Sequence, residues 1–268
     1  MQPDILDIVK LAQSGNQEAL SDVVGHVQDQ VYRLAMRMLV NPDDAGEATQ
    51  EILILVVTKL STFEGRSQFF TWVYKVAVNY LLSAKRSLER NRGLNFDVFQ
   101  ADLEDGLLVD PAPAADDLVL LNELRIACTS ALLLCLPAEQ RMAYILGDVF
   151  ELEHNEAAEA LGISRENYRK RLSRARKQVV SFTGKVCGLA NSTAKCSCPK
   201  RLSKAKELGR VNEEHLAYAV DDAPAYKTVQ RDVEKLVDDL KVLKLQRATA
   251  HYQCPQKLVK RVEAALYG

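Results

Sequence analysis

Three observations predict an all-α fold. Strand signals are scarce, while apolar residues recur at helical spacing along most of the chain. Helix starts are written as polar caps ahead of acidic first turns, as in Asn41-Pro42-Asp43-Asp44. Charge is segregated by segment although the 268 residues carry a formal net charge of only −1, so acidic and basic helical surfaces are expected in one chain. The length accommodates two small domains and an extension.

Taken in order, Asp4 to Ser14 reads as a short amphipathic helix with Ile5, Ile8, Val9 and Ala12 on one side, ended by Gly15. Asn16 can cap the next helix, which carries Ala19, Leu20, Val23, Val24, Val27, Val31, Leu34, Ala35 and Met38. Neither has chemistry of its own. Their apolar spacing makes them the core under the next two helices.

Asn41 to Arg86 holds two helices with opposite preferences. In the first, Ala48, Ile52, Leu55, Val56 and Leu60 build an apolar face, and Asp43, Glu47, Gln50 and Glu51 lie three and four apart on the other side. After a turn over Ser61 to Gln68, with Gly65 as its flexible point, Phe69 to Arg86 forms the second. There Phe69, Val73, Val76, Ala77, Tyr80 and Leu81 can face a core, while Thr71, Lys75, Asn79, Ser83 and Arg86 make a polar-to-basic stripe beside Trp72 and Tyr74. An acidic helix followed by a basic, aromatic one can hold a protein with the first and a nucleic acid with the second. Trp72 reads first as packing; as a platform it would stack an unpaired base, an interaction of about 1–3 kcal/mol.

Gly93 to Asn122 lacks Lys and Arg but carries Asp97, Asp102, Glu104, Asp105, Asp110, Asp116 and Asp117 with Pro111 and Pro113, the composition of a solvated linker. Glu123 to Leu136 is an apolar helix, and Pro137 opens another with Met142, Ile145, Leu146 and Val149 inside. Glu156 to Ser164 has the pattern of a helix-turn-helix: Ala157, Ala158 and Leu161 pack, Gly162 turns, Ile163 plugs and Ser164 caps. The helix that follows, Arg165 to Lys177, is basic but for Glu166. A basic helix in that position enters the major groove of DNA.

Beyond Ser181, Cys187, Cys196 and Cys198 could take zinc with Cys254, His251 or His215 as a fourth ligand, but their spacing is not that of a standard zinc pair, and reduced thiols with no metal are the expectation. Val229, Val233, Leu236, Val237, Leu240 and Leu243 mark a long amphipathic helix, and Pro255 begins a last one with Leu258, Val259, Val262 and Leu266. The start of the chain has no signal-peptide zoning, no apolar run is expected to reach membrane-spanning length, and the six cysteines do not form a disulfide framework, so a cytoplasmic protein is expected. No nucleophile–base set or phosphate loop is present, which argues against an enzyme and against a cofactor.

The motifs also carry a resemblance. Asp43-Asp44-Ala45-Gly46-Glu47-Ala48-Thr49-Gln50-Glu51, Thr62-Phe63-Glu64-Gly65-Arg66-Ser67 and Phe70-Thr71-Trp72-Val73-Tyr74-Lys75-Val76-Ala77-Val78-Asn79 resemble, in order and spacing, the second conserved region of bacterial extracytoplasmic-function (ECF) sigma factors. Leu136-Pro137 through Arg171-Leu172-Ser173-Arg174-Ala175-Arg176 resembles the fourth. The resemblance implies a transcription initiation factor with core RNA polymerase and promoter DNA as partners and an anti-sigma factor as a further candidate. It implies a region 2 domain over residues 1–92, a linker over 93–122 that threads the RNA-exit path of the polymerase, a region 4 domain over 123–180 and an extension over 181–268. Asp44, Glu47, Gln50 and Glu51 would then meet the polymerase clamp. Gly65, Arg66, Ser67, Gln68, Thr71, Trp72, Lys75, Asn79 and Arg86 would take the −10 element. Ser164, Arg165, Glu166 and Asn167 would approach bases of the −35 element, with Arg169, Lys170, Arg171 and Arg174 on phosphates.

Two departures stand out: Tyr80-Leu81-Leu82-Ser83 lacks the Asp that members commonly place after the Asn, and Tyr168 replaces an aliphatic residue, its ring still expected to pack inward. Some members share a Cys-Gly-Leu…Cys-x-Cys element like Cys187 to Cys198. The competing readings are a helix-turn-helix regulator that never joins polymerase, and a cysteine- or zinc-dependent sensor whose helices are scaffold.

Overall fold

The computed structural model describes residues 4–83, 93–108, 117–220 and 222–267. Its helices are α1 (Ile5–Gln13), α2 (Gln17–Leu39), α3 (Pro42–Thr58), α4 (Phe69–Ser83), α5 (Phe96–Glu104), α6 (Asp117–Leu132), α7 (Ala138–Tyr144), α8 (His154–Ala160), α9 (Arg165–Val186), α10 (Cys198–Glu207), α11 (Tyr226–Glu234), α12 (Asp238–Arg247) and α13 (Gln256–Tyr267). Among the described residues no strand forms; one backbone bridge pairs Cys187 with Cys196.

Asn16 and Asn41 cap as expected, and Asp4, read as the first residue of a helix, is itself a cap. Side-chain oxygens of Asp4, Asn16 and Asn41 accept from the backbone N–H groups of Leu6 at 3.2 Å, Ala19 at 2.9 Å and Asp44 at 2.9 Å, satisfying donors that the first turn leaves unpaired. Between α2 and α3 the chain turns at Val40, held at a left-handed φ of 54°, a rare setting for a β-branched residue.

The chain folds as two compact units: residues 1–90, 152–170 and 252–268 form the first, and residues 91–151 and 171–251 the second. In the first, Val23, Val24, Val27, Val31, Leu34 and Ala35 of α2 are buried with Ala45, Ala48, Ile52 and Val56 of α3 and Val73 and Ala77 of α4. Each fully buried large aliphatic side chain of this kind contributes about 1.5–3 kcal/mol. α1 lies on α2, and its Gln13 amide donates to the carbonyls of Leu60 at 2.9 Å and Phe63 at 2.8 Å, tying down the turn that precedes α4. α8 packs on α4, and α13 packs on α3.

The second unit is built around α6, against which α10, α11 and α12 pack. Asp117–Cys135 is long and apolar enough, at a mean hydropathy of 1.7, to cross a membrane by length and composition. This corrects the expectation that no run reaches that length. In the fold it is a core helix: Leu120, Leu121, Leu124 and Ile126 are buried, and so are Glu123 and Arg125. The Glu123 carboxylate accepts from the backbone N–H groups of Ala217 at 2.8 Å, Tyr218 at 3.0 Å and Ala219 at 2.6 Å. The Arg125 guanidinium donates to Asn122 Oδ1 at 2.8 Å and to the carbonyl of Ala248 at 2.7 Å. Gln246 donates to the Thr129 carbonyl at 2.9 Å. Residues 181–251 are therefore stapled into the same core as α6 rather than trailing from it.

Two expectations change here. The acidic stretch read as a solvated linker is folded over α5: Phe96 and Phe99 lie 5.2 and 5.8 Å from the ring of Phe182. Asp102 is paired with Arg210 and, at 3.2 Å, with the buried Arg201. Asp102, Glu104, Asp105 and Asp117 each pair with a basic residue of the extension. The long helix expected over Val229 to Leu243 is two short ones, α11 and α12. Val229 and Val233 are buried, but Val237 is 70% exposed, and the chain restarts at Asp238-Asp239 so that Val242 and Leu245 can be buried in turn.

Candidate nucleic-acid interface

α3 presents its acids because its opposite side is committed to the core. Ala45, Ala48, Ile52 and Val56 are buried, leaving Asp43, Glu47 and Glu51 exposed at a spacing of four residues, with Asp44 and Gln50 half-buried beside them. Asn41 and Pro42 fix where the helix begins and so fix this phase.

Between α3 and α4 an open cleft of about 300 Å³ is lined by Leu55, Lys59, Thr62, Trp72, Lys75, Val76, Asn79, Tyr80 and Ser83. Its chemistry is two lysines, one amide and an aromatic wall. Trp72 is half-buried: its ring lies near-parallel to Phe69 at 6.0 Å and 5.7 Å from Phe63. The phenylalanines hold the indole, which also borders the cleft. Lys59 was missed in the sequence, where it falls between two elements, and Tyr80 was read as core though it borders the cleft. The neighbouring turn exposes Gly65, Arg66 and Gln68, with Ser67 half-buried; Gly65 adopts φ 70° and Arg66 pairs with Glu64.

Thr71 is not on this surface. It is 5% exposed and shares a strip of α4 with the buried Val78, seven residues on, turned away from the cleft on a helix against which α8 packs. Arg86 lies outside the described residues.

The helix-turn-helix forms as read. Gly162 adopts φ 63°, the Ile163 N–H donates to the Ala158 carbonyl at 3.1 Å, and Ser164 Oγ accepts the Asn167 N–H at 3.2 Å. Tyr168 is fully buried, 5.5 Å from the His154 ring, so the ring does pack inward. Ser164, Arg165, Glu166, Asn167, Arg169, Lys170 and Arg174 are exposed. Two of the basic residues are engaged: Lys170 pairs with Glu166 at 2.6 Å, and Arg171, 28% exposed, pairs with Glu139 of α7 at 2.7 Å. α9 begins in the first unit and continues into the second, where Arg176 grips the buried Asp148 through Nε at 2.9 Å.

Comparison with known proteins decides the family. The Sigma-70 region 2 family model matches residues 23–91, and the Sigma-70, region 4 model matches residues 126–179. The chain is 30% identical to the ECF RNA polymerase sigma-E factor of Escherichia coli (strain K12) over 177 residues, covering 64% of this chain and 90% of that protein. The chain belongs to the ECF RNA polymerase sigma factors. It is 28% identical to the ECF RNA polymerase sigma factor SigW of Bacillus subtilis (strain 168) over 176 residues, 63% of this chain and 90% of SigW. A solved structure, CnrH in complex with the cytosolic domain of CnrY, is similar at 19% identity and a TM-score of 0.45, covering 65% of this chain and 94% of that one.

In this sigma factor the cysteines lie largely in the part that follows the region 4 match. The Cys187 carbonyl accepts the backbone N–H groups of Ala190 at 3.0 Å and Asn191 at 2.9 Å. The Gly188 N–H donates to the Cys196 carbonyl at 2.8 Å, where a Cβ on Gly188 would itself stand 2.8 Å from that oxygen, so glycine is required. Cys198 is hydrogen-bonded to Tyr226. The fourth thiol of the cluster is Cys128 of α6, in electrostatic reach of the other three and not among the candidates read from the sequence. Of those candidates, the N–H of Cys254 donates to Asp29 in the first unit, His251 pairs with Asp222, and His215 is exposed. Burial pushes Cys196 up to about 11 and Cys198 up to about 12, and burial with the neighbouring thiols raises Cys128 well above its ordinary value. Such thiols stay protonated near neutrality and are poor nucleophiles. Among the described residues no three His, Cys, Asp or Glu side chains form a group able to hold a metal ion.

Proposed function

We propose that the acidic face of α3 docks on core RNA polymerase through Asp44, Glu47, Gln50 and Glu51, and that the cleft between α3 and α4 takes the opened −10 strand. The observation that carries this reading is the cleft itself. A base stacks on an aromatic wall at Trp72, the two cations Lys59 and Lys75 meet phosphate, and Asn79 can donate to and accept from a base edge. The adjoining turn from Gly65 to Gln68 supplies exposed backbone for a second base. The amino end of α9, Ser164 to Asn167, reads the −35 duplex, and Arg169, Lys170 and Arg174 hold its phosphates; Arg171 holds α7 in place. The protein acts in the cytoplasm by binding alone, with the free energy of DNA opening drawn from captured bases and polymerase contacts.

The test is promoter-dependent transcription with core polymerase. Trp72→Ala is expected to lower open-complex formation by the equivalent of about 1–3 kcal/mol, with polymerase binding unchanged. Arg169→Ala is expected to weaken promoter binding and lower its salt slope by about 1. If Trp72→Ala and Lys75→Ala open promoters as well as the parent does, the cleft is not the −10 site. A simple duplex-binding regulator would leave both the acidic face and the cleft without use.

A further inference from the structure

α13 lies along α3, the helix assigned to polymerase. Leu258 and Val262, one turn apart, are buried at 5% and 0% exposure. The approach is close: a Cβ added to Gly46 would come within 3.3 Å of Leu258 Cδ1. Gly46 is therefore a notch in α3 that receives the leucine, and it sits between Asp44 and Glu47 and four residues before Gln50. α13 is anchored by the segment leading into it, where Tyr252 and Cys254 are buried and the Cys254 N–H donates to Asp29 Oδ1 of α2 at 2.8 Å.

The charges complement one another. Lys257, Lys260 and Arg261 are exposed on α13, whereas Asp43 to Glu51 of α3 contains no basic residue. α13 also lies well beyond residue 179, where the match to region 4 ends, so it falls outside the residues matched by either family model.

We propose that α13 is a displaceable cover on α3, occupying the Gly46 shoulder so that the free chain must release it before the adjoining acids can engage core polymerase. The contact is suited to exchange. Among the described side chains it buries Leu258 and Val262, and the opposite signs of charge on the two helices attract in a way that salt screens. A large basic surface brought by the partner would compete for the same acids.

The inference rests on the assignment of α3 to polymerase, so the experiment separates the two. Equilibrium binding of core RNA polymerase is measured for the full chain, for Leu258→Asp and for the surface triple variant Lys257→Glu, Lys260→Glu, Arg261→Glu. Glu47→Arg serves as the docking control. Both α13 variants are expected to bind about tenfold tighter than the parent, the triple variant most clearly at low salt. The triple variant alters only exposed positions, so it reports even if Leu258→Asp destabilises the fold. If Glu47→Arg abolishes binding while neither α13 variant tightens it, the cover is refuted and the docking face stands. If Glu47→Arg binds like the parent, the docking face falls and the cover with it.

Discussion

In the first unit, a valine-rich face of α2 closes on α3 and α4 mainly through apolar side chains, with Arg37, Thr49 and Thr71 as the buried polar residues of these helices. In the second, α6 carries a buried glutamate and a buried arginine that reach backbone groups roughly a hundred residues further along the chain. Apolar closure is tolerant, because any side chain of similar volume restores much of it. Polar closure is not, because each partner removed leaves a desolvated group with nothing to bond. The unit that belongs most fully to the family is held mainly in the tolerant way, and the one that incorporates residues 181–251 of the extension is held in the intolerant way.

The largest expected effect breaks the polar side of this contrast. Glu123→Ala strands three N–H groups and is expected to cost about 3–5 kcal/mol in urea unfolding of the second unit, with Arg125→Ala similar. Ile52→Ala, a truncation in the first unit, is expected to cost about 2–5 kcal/mol. The sharper distinction lies in rescue: Ile52→Leu should recover most of the loss, whereas Glu123→Gln should recover little.

A smaller effect concerns Asp102. The hydrogen bond from Arg210, with the charges of Arg210 and Arg201, holds its carboxyl below the ordinary value of 3.8. Stabilisation from this group is present above that ordinary value and is lost as pH falls through the lowered folded-state value. Asp102→Asn should therefore cost about 1 kcal/mol at pH 7, and the difference from the parent should vanish in acid. Last, with Cys196 raised to about 11 and Cys198 to about 12, iodoacetamide at pH 8 should label the native thiols about 100-fold more slowly than the urea-unfolded ones. Rapid native labelling would mean the cluster is open.

The same contrast explains what could be read beforehand. Asp4, Asn16, Asn41 and Ser164 act on residues two or three positions away, and the apolar spacing of α2 and α3 repeats within a turn, so those elements were legible. Glu123 is an ordinary acid until residues 217–219 arrive to donate to it. Cys128 joins its cluster only when α6 meets the Cys187–Cys198 segment. Thr71 lies on a stripe whose burial depends on where α8 packs, and the break at Val237 depends on what Val242 and Leu245 can reach. Each of these turns on a distant partner that local spacing does not name.

The Gly46 notch has a consequence in time as well as in space. α3 leaves the ribosome long before α13 has been translated, so every newly made chain passes through a period in which the helix proposed to dock on polymerase is without α13. With the proposed cover, core polymerase present in that interval would meet an open α3, while chains completed in its absence would cover themselves. How active a cell's stock of this factor is would then depend on when its molecules were made relative to the supply of vacant polymerase, and two equal stocks could differ in readiness through their history alone.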